Sequence, residues 1–378
     1  MIQFSIQISD LIHLCKLAAN VTRKRENVRA AQFVLFSIGD DTSILTATSS
    51  DVENTLITTH LLINKGAPGV VAVHAEKLLA VASDLSREYT NLTVQETTDS
   101  RLTLAAGKSK VTLACLPKQK YLDVPAIPST SQCIVVPQIQ LKQSIAAVQH
   151  AIAESGNRVF CSALISYEDS RLKLVGANGP KLAVATIHNI PDTDAPDFSA
   201  ILDRRTLEIL AKTICTSPNE DMHMSSMGTK ACFSTPGRTL IASTIADTYP
   251  DYTRIFPKTI LFSTIIPTIN LINKLQIVNT MTFDSHFTKW NFLKDTLTIT
   301  SRDSEIGDAK EEITLQQTLE DPFTIGLNSK FVLDTLKALV SWKLKDTALS
   351  FSGDTTPVCI TGTQQNIDVQ TLIMPMRL

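Results

Sequence analysis

The feature that most constrains this chain is a repeat. The segment Asn328–Val340, NSKFVLDTLKALV, sets Val332, Leu336 and Leu339 at i, i+4 and i+7 on one helical face and Lys330, Asp334 and Lys337 on the other. Asn328 or Ser329 stands where an N-cap belongs. Five earlier segments have the same amphipathic shape, beginning at Ser9, His74, Pro137, Asp203 and Ile265, and successive starts are 65, 63, 66, 62 and 63 residues apart. The chain of 378 residues is three times 126, so the spacing predicts six half-units making three pseudo-repeated domains, at 1–126, 127–252 and 253–378.

Between the helices the pattern changes to period two. Ile2–Ile8 alternates apolar and polar as a half-buried strand does. Residues 33–61 read as antiparallel strands broken at Gly39-Asp40-Asp41 and around Ser49–Asp51. The unit is therefore strand, helix, three strands, used twice per domain, which makes the fold α+β with helices on antiparallel sheets. One helical layer per sheet leaves the opposite face expected in solvent. Leu116–Pro128, with three prolines and no helical period, is expected to close the first domain, and Ala246–Lys258 to join the second and third as an extended connector.

Charge and cysteine use exclude several classes. The net charge of −2 argues against a globally basic nucleic-acid binder, yet the six helical segments carry nine Lys/Arg against six Asp/Glu, so a surplus of three sits on the helices and −5 on the remainder. Seven scattered cysteines with no C-x-x-C pair fit reduced thiols in a cytoplasmic protein, and no secretory signal or 18-residue apolar run is visible. The seven histidines show no metal-binding spacing, and neither the P-loop nor the dinucleotide glycine pattern occurs. No cofactor, metal or catalytic constellation is expected; a non-catalytic repeat scaffold that binds proteins but not DNA remains the alternative reading.

PDYTRIFPK in the Ala246–Lys258 connector, IGLNSKFVLDTLKAL around the last helix and the terminal MPMRL resemble the bacterial DNA polymerase III beta subunits, the sliding-clamp family. The likeness extends over the whole chain in length, threefold plan and motif order. It implies a head-to-tail homodimer, each chain half of a closed ring whose helices line the hole, encircling double-stranded DNA without sequence preference. Its partners would be the replicative polymerase, the clamp loader and repair polymerases. Simple geometry agrees with two chains: at about 8–10 Å between packed helices, six in a circle leave a bore of about 10 Å and twelve about 28 Å. Only the larger admits a duplex roughly 20 Å wide.

For DNA, the resemblance and the helix charge point to Arg25, Lys77, Lys142, Arg158, Arg204, Arg205, Lys274 and Lys330, acting on phosphates through mobile contacts. For partner peptides carrying glutamine and apolar residues, the resemblance implies a pocket walled by Gly179, Lys181 and Leu182, then Pro250, Arg254 and Ile255, then Asn328 and Phe331, and finally Val358 with Met374, Pro375, Met376, Arg377 and Leu378. Methionines adapt to varied apolar ligands, while Leu182, Ile255 and Phe331 supply fixed walls. The chain departs from the family at Asn178-Gly179-Pro180-Lys181, at Arg29-Ala30-Ala31 and at Val159-Phe160, where aromatic residues are expected near the bore.

Overall fold

The computed structural model describes residues 1–23, 28–97, 100–126, 133–191, 197–303, 307–342 and 344–378. Six α-helices occur among the described residues: α1 (Ile8–Val21), α2 (Ala75–Leu85), α3 (Gln138–Gln149), α4 (Arg204–Thr213), α5 (Thr268–Asn279) and α6 (Ser329–Ser341). Each follows one strand and precedes three, so the strand, helix, three-strand order recurs six times. Among the described residues every strand pairing is antiparallel.

The pairing is exchanged between half-units. Gln3–Gln7, ahead of α1, pairs with Asn91–Thr97 after α2, while Gly69–His74, ahead of α2, pairs with Phe33–Ile38 after α1. Phe262–Pro267 pairs with Asp346–Phe351 and Phe323–Asn328 with Phe287–Leu293 in the same reciprocal way. No half-unit completes its sheet from its own strands, which is the physical reason they come in pairs.

Two compact units result. The first, Met1–Ile139 with Arg205–Thr244, contains a single twelve-stranded sheet bounded by the strands Gln3–Gln7 and Ile134–Pro137. In its main core Leu11, Leu14 and Ala18 of α1 and Leu78 and Ala82 of α2 pack on Phe4, Leu45, Leu92 and Leu104. Asp51, fully buried in the turn before the strand Asn54–Leu61, accepts from Arg205 Nε at 3.0 Å and lies 3.4 Å from Arg23 Nε. It also accepts the Asn54 N–H at 2.8 Å, while Thr206 donates to the Asn54 side chain at 2.8 Å. The charge is thus paired and hydrogen-bonded on every side, as a buried carboxylate requires.

The second unit, from the described part of residues 140–204 and Ile245–Leu378, holds an eight-stranded and a four-stranded sheet. Phe262, Phe292, Phe323 and Phe351 form an aromatic cluster, with Phe262 and Phe351 stacked at 4.8 Å and Phe292 edge-on to Phe351 at 4.9 Å. On α6, Val332, Leu333, Leu336 and Leu339 are buried, and Asn328 caps the helix by accepting the Phe331 N–H at 3.1 Å.

The expectation of solvated outer sheet faces is corrected. Strands such as Phe33–Ile38 and Lys181–Ile187 are buried on both faces. In the first unit Tyr121 and Leu122 pack on Phe33, Leu35 and Ala72, with the Tyr121 hydroxyl donating to the Thr48 carbonyl at 2.8 Å. In the second, Tyr249, Tyr252 and Phe256 cover Val175, Leu182, Val184 and Leu372. The proline-rich connectors are therefore covers for sheet faces, packed down by tyrosine rings, and in the first of them the Tyr121 hydroxyl also reaches backbone.

Candidate functional site

In the second unit the strands Lys181–Ile187 and Ile367–Ile373 run side by side with Leu182 opposite Leu372. The preceding strand, Arg171–Ala177, enters by a three-residue loop in which Asn178 accepts the Lys181 N–H at 3.2 Å and Gly179 adopts φ +87°. That conformation is open to glycine and strained for other residues. The Met374 N–H donates to the Pro180 carbonyl at 2.9 Å, tying the end of the chain to this loop.

Above the strand pair lies a cleft of about 150 Å³ lined by Phe160, Gly179, Leu182, Tyr249, Ile255 and Met374, among others. A dry space of that size takes a ligand of about benzene size, so it suits one or two apolar side chains. Ile255 and Met374 are 46% and 39% exposed and form its rim. The connector reaches the cleft through a short 3₁₀ turn, Thr253–Ile255, which Asp251 organises by accepting the Thr253 hydroxyl at 2.6 Å and its N–H at 3.1 Å. These hydrogen bonds from Thr253 hold the Asp251 carboxyl below its ordinary pKa.

The expected pocket residues are distributed unevenly. Gly179, Lys181, Leu182, Pro250, Ile255 and Met374 line the cleft together. Arg254 is exposed and pairs with Asp251 at 2.8 Å. Asn328 is a helix cap, and Val358 is buried opposite Ile373. Pro375, Met376, Arg377 and Leu378 line a separate hollow with Asp354 and Thr355, and Met376 is held by its N–H to the Gly326 carbonyl at 2.8 Å. Phe331 lies under the Lys181 ammonium, 4.6 Å from ring centroid to Nζ. Lys181 is only 5% exposed and donates to the His150 carbonyl at 2.5 Å. It is a fixed wall rather than a mobile rim charge.

The sequence did not single out Tyr249, Tyr252, Leu372, Ala177 and Pro180 as lining residues, and Phe160 lines the cleft as well. A usable signal existed for the tyrosines: Tyr249 and Tyr252 flank Pro250 at i and i+3 in a connector otherwise poor in apolar residues.

The basic residues also divide. Lys77 on α2, Lys142 on α3, Arg158 and Lys330 on α6 are exposed. Arg205 is turned to structure instead: besides Asp51 it donates to the Val21 carbonyl at 2.8 Å. Lys274 pairs with Glu311 at 2.5 Å, and Arg204 donates to the Ile152 carbonyl at 3.3 Å. Arg25 lies outside the described residues. Among the described residues no cluster of three or more His, Cys, Asp or Glu side chains forms a metal site, and no helix is long and apolar enough to cross a membrane.

Family models for the N-terminal and C-terminal domains of the DNA polymerase III beta subunit match residues 2–126 and 253–377. A beta sliding clamp of Pseudomonas putida is 25% identical over 391 residues, covering 99% of this chain and 100% of its own length. Among solved structures, the DNA polymerase III subunit beta of Pseudomonas aeruginosa superposes with a TM-score of 0.90 at 21% identity, covering 100% of both chains. The Bacillus subtilis DNA polymerase sliding clamp gives 0.91 at 19%, covering 100% of this chain and 99% of that one.

Proposed function

The chain belongs to the DNA polymerase III beta subunit family, the sliding clamps, and from that premise we propose that two copies close head to tail into a ring around duplex DNA. It is a non-catalytic processivity factor: it tethers the replicative polymerase and other clamp-binding proteins by topology, and its work is done in the cytoplasm. Few tight phosphate contacts suit this role, because a ring held by its own closure slides best when its contacts are weak and sequence-independent.

The observation that carries the reading is a rule in the sheet joints. Within the first unit the last strand of the first half-unit, Asn54–Leu61, pairs with the last strand of the fourth, Arg238–Ser243. Within the second unit the last strand of the third half-unit, Lys181–Ile187, pairs with the last strand of the sixth, Ile367–Ile373. The same step of three half-units would join the fifth to the second of another copy. Those two last strands are the ones left over: Gly307–Thr314 is a sheet edge, and Ser109–Leu116 meets Gly69–His74 only at Leu116 and Cys115. Their charges are complementary, Lys108 and Lys110 on one side against a net −2 from Asp308, Lys310, Glu311 and Glu312 on the other, where Lys310 pairs with Glu312 and Lys274 with Glu311.

The matched ranges 2–126 and 253–377 support clamp domains at 1–126, 127–252 and 253–378. The cleft between the Asn178–Lys181 loop and the tyrosine connector is the proposed anchor for partner peptides, and the exposed Lys77, Lys142, Arg158 and Lys330 are the proposed DNA contacts. The deciding experiment is topological. Protein loaded on a nicked circle should stay bound in high salt and leave when the circle is cut open; retention on the linear form would overturn the ring. A scaffold that ignores DNA would never be retained on the circle.

A further inference from the structure

Lys181, which lines the apolar cleft, also lines a second cavity of about 580 Å³. We propose that this cavity, walled by the C-terminal end of α3, the Asn178–Lys181 loop and α6, is a binding site for a phosphate group, taken from inorganic phosphate or from a nucleic acid.

Charge is the first argument. Lys181, Arg204, Lys330 and Lys337 line the cavity against two carboxylates, Glu154 and Asp334. Four cations less two anions leave a surplus of two in one concavity of a chain whose net charge is −2. Asp334 is the nearest counter-charge to Lys181, and at 3.8 Å it makes a loose ion pair. The consequence is visible at Lys181: burial holds its ammonium below the ordinary lysine pKa, Asp334 works against that, and Lys330 and Arg204 repel it further. An anion in the cavity would relieve that repulsion.

Unused hydrogen-bonding capacity is the second. Both ring nitrogens of His150 are sealed from solvent and neither makes a hydrogen bond of good geometry, the Ala147 backbone being the only group that favours its charged form, and His150 lines this cavity. Burial, with the Lys181 charge, drives its pKa down to about 3, so at neutral pH it presents one N–H and one bare nitrogen. Buried polar atoms left unpaired are unfavourable unless a ligand completes them. A phosphate offers several acceptors to the imidazole N–H and the surrounding ammonium groups, the donor set that tetrahedral oxyanions prefer.

The test is an NMR titration of the full chain at neutral pH, with histidine ring nitrogens labelled and the His150→Gln variant used to assign the signal. Inorganic phosphate, against sodium chloride at equal ionic strength, should shift the His150 resonance saturably. In the Lys330→Gln/Lys337→Gln variant the midpoint should rise at least about tenfold, because charge-assisted contacts are lost. A shift equal to that in chloride, or an unchanged midpoint in the double variant, would overturn the site. Short oligonucleotides with and without a 5′ phosphate identify the source: competition by both points to the backbone, by the phosphorylated one alone to a terminal phosphate, and by neither to the free ion. No step of this titration involves ring closure, so it and the clamp reading can fail separately.

Discussion

At the residue scale, the decisive difference is between a basic side chain that is free to meet a ligand and one already occupied. Arg205 holds the fully buried Asp51: removing Asp51 leaves Arg205 and Arg23 without their shared counter-charge, and removing Arg205 leaves Asp51 only the longer pair with Arg23. Asp51→Ala should therefore lower unfolding stability by about 3 kcal/mol, read by denaturant titration. Arg205→Ala should also shift the midpoint yet leave the salt dependence of DNA association as it is. Lys142→Ala should do the reverse, reducing the slope of log affinity against log salt by about 1. A second residue sets a pH dependence. His150 has a folded pKa of about 3 against an ordinary 6.5, so between those values the unfolded chain binds the extra proton. Stability must then rise with pH across that window and fall as pH drops from about 6.5 towards 3. His150→Gln should flatten this part of the profile, measured as the variant's stability relative to wild type at pH 7 and pH 4.5; an unchanged slope would place the acid sensitivity in other groups.

At the scale of elements, the helices were the most legible part of the chain. Their apolar stripes recur at nearly constant spacing, and all six form within a few residues of the segments that the period marks. Asn328 acts as the cap that its position promised, and Asn328→Ala should destabilise the chain by about 1 kcal/mol. The hairpins were legible for a similar reason: the turn between the strands Ser162–Glu168 and Arg171–Ala177 puts Asp169 and Ser170 at φ +51° and +56°, the geometry of a tight two-residue loop. What periodicity could not reveal was the outer layer. A connector such as Ala246–Lys258 has no regular spacing, so beyond the paired tyrosines around Pro250 nothing local says that Tyr249, Tyr252 and Phe256 close over a sheet or that the two tyrosines line the cleft. The exchanged strands were hidden too, because alternation fixes which face a residue takes but not which strand lies beside it. The terminal segment is held just as non-locally: Gly326 faces Met376, and a Cβ there would come within 2.7 Å of the Met376 carbonyl oxygen and of the Phe287 ring. Gly326→Ala should lift the Met374–Leu378 strap and weaken a labelled glutamine-apolar peptide by roughly tenfold, although Gly326 does not line the cleft. Deleting Met374–Leu378 should abolish that binding altogether.

For the whole molecule, the question is what a chain does with two leftover strands of opposite charge. An exposed edge invites pairing, and proteins that remain monomers usually blunt it with charge, proline or a bulge. Here Ser109–Leu116 alternates intermediate and exposed positions over most of its length, as does Gly307–Thr314, and neither contains proline. The only charges on and just before the first are Lys108 and Lys110, while Asp308, Lys310, Glu311 and Glu312 give the second a net −2. Like edges would therefore repel and unlike edges attract, which selects a head-to-tail contact over a symmetric one. Because the two edges belong to different half-units three steps apart, satisfying both at once takes two junctions per copy, which a ring of two copies supplies. Lys108→Glu/Lys110→Glu should accordingly convert the dimer to monomer in sedimentation velocity at micromolar concentration and remove retention on circular DNA. Adding Glu311→Lys/Glu312→Lys to the same chain restores the complementarity with its signs exchanged, and should bring back both the dimer and the retention. A charge-reversed chain that still sediments as a dimer would mean that these two edges do not form the joint.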